Sequence, residues 1–323
     1  MSPLEQRYRR LLTWLPEPAR SRWADDMTET YLQVETADDP EYAEFGSPSL
    51  TDRLDVARLA LRLRLGAPGA SVRAVATGRT VRLVAVAGTV ALASLGLLGL
   101  FSTAWLHGRL PFIDAPDLGG RLLWGPSYAV HTVVSALTVA LAVCAARGLA
   151  ATRPLAVVVL IGQLVPAVVA VIRPVELLVQ LTIAVPLVAA ALMPTGAPLH
   201  RPLWLIPVPL VASVSVTALR PGEPPEWTWG LFDPVVQWAL LTVVAGAVLL
   251  LRRGRARGPG ELAVAVLAAT TLPALASRWP YDTPSGYATV VVLATLAAAA
   301  TAVVTGAIGL RAVRVLPMVP ADR

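Results

Sequence analysis

The chain has no lysine, one cysteine and three histidines among its 323 residues, and charged side chains make up only 15% of it. The single cysteine, Cys144, excludes an intramolecular disulfide and any cysteine-based metal cluster. His107, His131 and His200 fall in three different segments of the predicted topology, so we predict that they form no common metal site. Because soluble domains carry about 25% charged residues, the low charge argues against one large water-soluble core.

Long apolar segments account for the hydrophobic share of 55%. They run for about 20 residues each, which is the length that a helix needs to cross a hydrocarbon core about 30 Å thick. The sequence therefore predicts an all-α fold, that of a polytopic integral membrane protein with about eight transmembrane helices. The predicted spans lie near residues 83–105, 127–146, 154–172, 175–193, 202–219, 235–251, 261–277 and 287–310.

The net charge of +6 comes from arginine alone, and the arginines are distributed unevenly between the predicted loops. With the N-terminus in the cytoplasm, 22 of the 27 basic residues fall on the inner side and five on the outer side, which satisfies the positive-inside rule. We therefore predict a multi-pass protein with both termini in the cytoplasm. Because the membrane explains the basic charge, no direct nucleic-acid binding is expected.

Composition also bears on the origin of the chain and on its insertion. The use of arginine without lysine indicates a GC-rich bacterial genome, so the predicted location is the bacterial cytoplasmic membrane. The first 60 residues contain no apolar segment of the kind found in a cleavable signal peptide. The first predicted span is therefore expected to direct insertion.

The residues before the first span are charged and predict a small cytoplasmic module. Residues 1–65 are expected to form three amphipathic helices, 66–82 a basic linker, 83–310 the transmembrane domain and 311–323 a cytoplasmic tail. Each helix has an apolar stripe at helical spacing. The predicted stripes are Leu4, Tyr8, Leu11, Leu12 and Leu15, then Trp23, Met27, Tyr31 and Val34, then Leu50, Leu54, Ala57 and Leu61. The polar stretch between the second and third helices is predicted to be a loop.

Exposed arginines on this module are the candidate binding residues. We predict that Arg9, Arg22, Arg58 and Arg62 contact a cytoplasmic partner, which would be a regulatory protein or a transporter subunit. Alternatively, the arginines of the third helix lie against anionic lipid headgroups, where each contributes roughly 1 kcal/mol. Membrane lipids are expected partners in either case.

The N-terminal sequence resembles a known family module. "RYRRLLTWLP", "ARSRWADDMTETYL" and "DRLDVARLAL" are similar to the short cytoplasmic prefix that precedes some bacterial permease segments. Similar modules begin many actinobacterial multispan proteins, some of which are associated with PadR-type repressors. The residues that match the pattern are Tyr8, Arg9, Leu11, Leu12 and Pro16, followed by Arg22, Trp23, Ala24, Asp25, Asp26 and Met27. The family pattern has Tyr, Gly and Glu where this chain has Trp23, Ala24 and the aspartates. The resemblance covers about a fifth of the chain and implies no catalytic residue.

Few polar side chains lie within the predicted spans. The candidates are His131, Gln163, Gln180 and Gln237, and interhelical hydrogen bonding is their expected role. A Ser127–His131 pair would suggest intramembrane proteolysis, but the segment lacks the glycines of a nucleophile elbow. Because the sequence also has no HExxH, P-loop or GxGxxG motif, we predict no enzyme activity, no metal site and no cofactor.

Two functions remain open on this evidence. The first is a signalling or regulatory membrane protein, in which the module binds a partner and the spans respond to the envelope or its lipids. The second is a transporter or permease subunit for a neutral or lipidic substrate, in which the module serves assembly. Short outer loops and the lack of a charged residue deep in a predicted span favour the first.

Overall fold

A computed structural model of the chain describes residues 1–37, 39–109, 126–169, 174–193, 233–251, 258–278 and 285–317. Every regular element in these ranges is a helix, so the predicted all-α class is confirmed. The chain divides into two compact units. The first unit is Met1–Arg79 with the described residues from Arg311 onward, and the second is Thr80–Leu310.

Four helices belong to the N-terminal part of the first unit: α1 (Pro3–Leu12), α2 (Glu17–Glu35), α3 (Tyr42–Phe45) and α4 (Leu50–Arg64). Local side chains fix where they begin. The Ser2 hydroxyl accepts a hydrogen bond from the backbone N–H of Glu5 at the start of α1, and Ser49 and Asp52 form a reciprocal capping box at the start of α4. The third predicted helix therefore begins where the sequence indicates.

The segment predicted as a loop between α2 and α4 contains the single turn of α3. A helix this short has no apolar periodicity, so its sequence carries no helical signal. Its end is held by Arg7 of α1, whose guanidinium donates to the backbone carbonyls of Phe45 and Gly46. This long side chain thus joins the first helix to a segment nearly forty residues away.

The core of the first unit is built on the stripes predicted for α1 and α2. The predicted residues of α1 are all buried: Leu4, Tyr8, Leu11, Leu12 and Leu15. Trp23, Met27 and Tyr31 of α2 pack against this cluster and are partly buried. Val34, which the sequence places in the same stripe, is 68% exposed, because the last turn of α2 extends beyond the cluster.

The helix α4 buries a different face from the predicted one. Leu50, Leu54 and Leu61 are 73%, 47% and 41% exposed, so their predicted burial is wrong. The buried residues of α4 are Val56, Ala60 and Leu63. The helix is apolar on two faces, and arginines border the leucine face on both sides but the buried face on one side only. Burying that face would take guanidinium groups out of water, which is costly without paired carboxylates, so the other face packs inward.

Most of the predicted basic linker is helical. Helix α5 (Val72–Leu106) begins inside it, and the first unit extends to Arg79 instead of ending at residue 65. In the turn before α5, Gly66 and Gly69 have φ angles of +82° and +83°, which glycine adopts without a steric penalty. A Cβ atom on Gly69 would lie 2.7 Å from Cη2 of Trp23. The turn is therefore packed directly under an aromatic ring of α2.

Six further helices follow α5 within the described ranges: α6 (Pro126–Arg147), α7 (Thr152–Val169), α8 (Pro174–Leu192), α9 (Pro234–Leu251), α10 (Pro259–Ala276) and α11 (Ser285–Arg314). The predicted tail 311–323 thus begins within α11. In the first unit, Arg73 of α5 donates to the backbone carbonyls of Val313 and Arg314 near the end of that helix.

Four of the described helices are long and apolar enough to cross a membrane: Val72–Phe101, Ala129–Arg147, Pro259–Ala276 and Gly286–Arg314. Three shorter apolar helices, Thr152–Leu164, Thr182–Leu192 and Val235–Leu251, coincide with further predicted spans. The predicted span 202–219 lies outside the described residues. The four long helices indicate a membrane protein.

Two apolar clusters hold the second unit together. The larger one joins α5, α6, α7 and α8 with Trp238 of α9 and Leu267 of α10. The smaller one joins α9, α10 and α11. Close approach between α5 and α8 depends on Gly88, since a Cβ atom there would lie 2.5 Å from Cβ of Pro186. Small residues therefore set the spacing of these helices, as is common in membrane bundles.

Candidate functional site

Arg9, one of the four candidate binding arginines, is engaged in ion pairs within its own unit. Its Nε lies 3.0 Å from a carboxylate oxygen of Glu5, and its Nη1 lies 2.8 Å from one of Asp25. The hydrogen bond to Asp25, followed by the one to Glu5, raises the pKa of Arg9 above its ordinary value. Because Asp25 belongs to α2, this side chain links α1 to α2, and its role as a partner contact stays a prediction.

Arg22, Arg58 and Arg62 point away from the core of the first unit. All three are exposed, and the guanidinium carbon of Arg22 lies 5.9 Å from the centroid of the Trp23 ring. Arg58 lies 3.4 Å from a carboxylate oxygen of Asp55, a solvent-exposed pair that contributes little to stability. Arg58 and Arg62 are four residues apart on α4, so they share one side of that helix.

The three candidate glutamines of the apolar helices lack the interhelical hydrogen bonds predicted for them. Among the described residues, no hydrogen-bond partner is found for the side chains of Gln163 and Gln237, which are half-buried. The side-chain oxygen of Gln180 in α8 is buried without a partner. Such an oxygen in an apolar bundle is destabilising unless something donates to it, so Gln180 marks a polar point inside the second unit.

A threonine makes an interhelical hydrogen bond of the kind expected of the polar residues in these helices. The Thr182 hydroxyl of α8 donates to the backbone carbonyl of Thr270 in α10 at 2.6 Å. Other hydroxyls in these helices bond to a carbonyl of their own helix, three or four residues earlier. Examples are Ser94, Thr138, Thr242, Thr271, Thr295 and Thr305. A hydroxyl satisfied in this way can face apolar surroundings without a second helix.

His131 lies on α6 where that helix approaches α5. A Cβ atom on Gly99 would be 3.1 Å from Nε2 of His131, and one on Gly96 would be 3.1 Å from the carbonyl oxygen of Ser135. The two glycines of α5 thus make room for α6. His131 is itself exposed, and it has no hydrogen bond to any residue that the structure describes. The side chain of Ser127, its predicted partner, lies outside the described residues.

Asp233, which sequence reasoning missed, has several polar contacts in the described part of the second unit. Its side chain is 7% exposed. One carboxylate oxygen accepts a hydrogen bond from the backbone N–H of Val235 at 2.8 Å, and the other accepts one from the hydroxyl of Tyr287 at 3.0 Å. Nε of Arg278 lies 3.5 Å from the same oxygen as the tyrosine hydroxyl. We call Asp233, Tyr287 and Arg278 the Asp233 cluster.

The Asp233 cluster joins three helices at one point. Asp233 precedes the first residue of α9, Arg278 follows the end of α10, and Tyr287 lies in the first turn of α11. The negative carboxylate also lies at the positive end of the α9 dipole, which stabilises the charge. A sequence signal for this role exists: an Asp followed by Pro234, immediately before an apolar run, is typical of a helix N-terminus.

Among the described residues of this unit, Glu261 is the other buried carboxylate, with 6% exposure. It accepts a hydrogen bond of 2.7 Å from the backbone N–H of Gly258, just before α10. This hydrogen bond caps the helix. In the described part of the chain, no cation lies beside the carboxylate. In those same ranges, no group of three or more His, Cys, Asp or Glu side chains could hold a metal ion.

Searches of protein-family models, curated proteins and solved structures found no match to the chain. The resemblance to the permease-prefix module therefore rests on the N-terminal motif residues alone and stays a prediction. The candidate sites are an N-terminal helical cluster with exposed arginines, and a polar cluster at the junction of α9, α10 and α11.

Proposed function

We propose that the chain is a non-enzymatic integral membrane protein of the bacterial cytoplasmic membrane, in which the N-terminal helices bind a cytoplasmic regulatory partner. This proposal rests on the apolar cluster formed by α1, α2 and α4, which is separate from the cluster of the long apolar helices. A chain whose only task was to span the membrane would not need a separately packed cluster. Its exposed Arg22, stacked near Trp23, is the proposed partner contact.

The proposed topology has eight spans with both termini in the cytoplasm. Seven of the predicted spans have an apolar helix at the corresponding position, and the arginine asymmetry supports the orientation. The permease-prefix resemblance supports the same arrangement, because such modules are cytoplasmic. In this proposal the membrane helices respond to the state of the envelope or its lipids, and the N-terminal unit transmits that response.

A pull-down of the tagged full-length protein, cross-linked in native membranes, tests the regulatory role. We expect one regulatory protein, such as a repressor or a sigma factor, to be recovered with the wild type. Arg22→Glu should abolish its recovery, whereas Arg10→Glu, a matched change at another exposed arginine, should not. Recovery of no stoichiometric partner, or equal recovery with both variants, would contradict the proposed contact.

A transporter or permease subunit for a neutral or lipidic substrate is the second candidate function. The observation that favours it is the buried side-chain oxygen of Gln180, which has no partner among the described residues and could accept a hydrogen bond from a substrate. Recovery of a nucleotide-binding subunit in the pull-down would support this candidate. In proteoliposomes, a transport activity lost in Gln180→Leu and retained in Gln163→Leu would establish it.

A further inference from the structure

The outward face of α4 combines exposed leucines with arginines in an ordered arrangement. At 3.6 residues per turn, Leu50, Leu54 and Leu61 fall within an arc of about 40°. All three are exposed. Leucines aligned in this way form a continuous apolar strip along a 15-residue helix, and no described residue covers it.

Arginines border this leucine strip on both sides. Arg58 and Arg62 lie on one side of it, and Arg53 and Arg64 lie on the other, as the same helical geometry requires. Arg64 donates to the backbone carbonyl of Trp14 at 3.0 Å, and Arg53 donates to that of Pro48 at 3.2 Å. These bonds hold two of the guanidinium groups at the edge of the strip while leaving both side chains exposed.

The residue whose backbone carbonyl Arg64 contacts is an exposed tryptophan at the same edge of the strip. Trp14 is 46% exposed, although most of the apolar residues around it in α1 are buried. Tryptophan prefers the headgroup level of a membrane, because its ring is apolar and its N–H needs a polar partner. We call the leucine strip, its four bordering arginines and Trp14 the α4 surface.

We infer that the α4 surface docks on an anionic membrane surface. A strip of leucines bordered by cations matches a bilayer interface, where acyl chains lie beneath a layer of phosphates. The long arginine side chains can extend to the phosphates while the leucines enter the apolar layer. A protein is the alternative occupant, because arginine and tryptophan are also enriched at protein interfaces, and the experiment below distinguishes the two.

The chain itself keeps α4 close to a bilayer. Residues 65–71 separate the end of α4 from α5, and α5 contains an apolar window long enough to cross a membrane. Docking is therefore intramolecular and needs only weak affinity. This inference deepens the proposed function and rests on it in one respect: the unit must face the cytoplasmic leaflet, whose lipids are anionic.

The depth of α4 in a membrane can be measured on the purified full-length protein in nanodiscs. Cys144→Ser removes the only native thiol, and Leu54→Cys then carries an environment-sensitive fluorophore on the α4 surface. Val34→Cys is the matched control, because Val34 is 68% exposed on α2 and lies in the same unit. The nanodiscs contain either phosphatidylcholine alone or an equal mixture with phosphatidylglycerol, and both carry a lipid-attached quencher.

We expect strong quenching of the label at position 54 in the anionic nanodiscs and weak quenching in the zwitterionic ones. The label at position 34 should be quenched weakly in both. If position 54 is quenched no more than position 34 in anionic lipid, the surface does not dock on the membrane and a protein must cover it. Equal quenching at position 54 in both lipids would also overturn the proposal, because the arginines would then have no role.

Charge variants test the arginines directly. The double variant Arg58→Gln, Arg62→Gln should lower the ratio of docked to undocked protein by about fivefold for each arginine. The matched double variant Arg10→Gln, Arg20→Gln, which removes one exposed charge from α1 and one half-buried charge paired with Glu17 from α2, should have little effect. Equal losses in both would indicate a general attraction without a defined surface, contrary to the proposal. Because this readout uses purified protein, a pull-down that recovers no partner leaves it unchanged.

Discussion

The rings of Tyr8 and Tyr31 stack face to face, with their centroids 3.9 Å apart and their planes inclined by 3°. This contact joins α1 to α2 in the core of the first unit. Burial, and then the nearby carboxylate of Asp52, raises the pKa of both phenols above the ordinary value. The hydroxyl oxygen of Tyr31 is also buried without a hydrogen-bond partner. The stack is therefore stable only while both rings are neutral.

The stability of the first unit should fall at alkaline pH. Because the folded-state pKa of both tyrosines is above that of an unfolded tyrosine, about 10, their contribution is fully present below that pH. It is lost as the pH rises from about 10 toward the folded-state pKa. Hydrogen exchange of residues 1–35 in the detergent-solubilised full-length protein measures this loss. A stability independent of pH up to 11 would contradict the buried stack.

Removal of the unpaired hydroxyl should stabilise the unit. We expect Tyr31→Phe to raise the free energy of unfolding by about 1 kcal/mol, because a buried unsatisfied polar group is destabilising by that order. The variant should also weaken the alkaline loss. Tyr42→Phe is the control, since the Tyr42 hydroxyl donates to the carbonyl of Ser47 at 3.1 Å, and its loss should lower the stability by about 1 kcal/mol.

Trp23 should be the most sensitive residue of α2. It is partly buried in the core and covers Gly69, so Trp23→Ala should lower the stability of the unit by about 3 kcal/mol. The membrane helices should remain inserted. Val34→Ala, at the exposed end of the same stripe, should change the stability by less than about 0.5 kcal/mol. Proteolysis of the N-terminal segment in oriented vesicles compares the two; equal resistance would mean that Trp23 does not close the core.

How far the sequence predicts this unit depends on how many apolar faces a helix has. Leu4, Tyr8 and Leu11 of α1 lie on its one apolar face, and their predicted burial is confirmed. Helix α4 has two apolar faces, so periodicity alone does not decide between Leu54 and Val56. The choice depends on arginines that must stay in water, which is a property of the neighbouring residues and not of the period.

The same limit applies to the polar residues of the membrane helices. Glutamine was predicted to join helices because its side chain offers both a donor and an acceptor. Which polar side chain faces a neighbouring helix is decided by tertiary packing, which the sequence pattern does not show. The interhelical bond joins Thr182 to the carbonyl of Thr270. Asp233 lies just before the predicted span 235–251 and so falls in a predicted loop, although the Asp-Pro pair signals a helix start.

Disruption of the Asp233 cluster should destabilise the second unit. Asp233→Ala removes the cap of α9, which costs about 1 kcal/mol, and a charge-assisted hydrogen bond, which costs about 1.5–3 kcal/mol. Tyr287→Phe removes only the charge-assisted hydrogen bond and should cost about 1.5–3 kcal/mol, less than Asp233→Ala, because Val235 and Arg278 still contact the carboxylate. Thermal unfolding in detergent ranks the two variants. A larger effect of Tyr287→Phe would show that the carboxylate is not the centre of the cluster.

The proposed topology predicts the location of each loop. Reporter fusions after Arg147, Arg201 and Arg257 should read cytoplasmic, and fusions near Asp117 and Glu226 should read external, because the arginines concentrate on one side. The last four of these positions lie outside the described residues, so the fusions test on which side of the membrane these loops lie. An external reading after Arg257 would exclude the eight-span arrangement, since the loop before it has the densest positive charge.

The hydroxyls that bond to their own helix have a consequence for biosynthesis. Ser94, Thr138 and Thr271 donate to carbonyls one turn earlier, so these bonds can form in a single helix as it leaves the translocon. Entry into lipid then exposes no unsatisfied hydroxyl. The Thr182 bond and the Asp233 cluster form only once separate helices have met. The hydrogen bonds within one helix therefore assist insertion, and those between helices form only when assembly is complete.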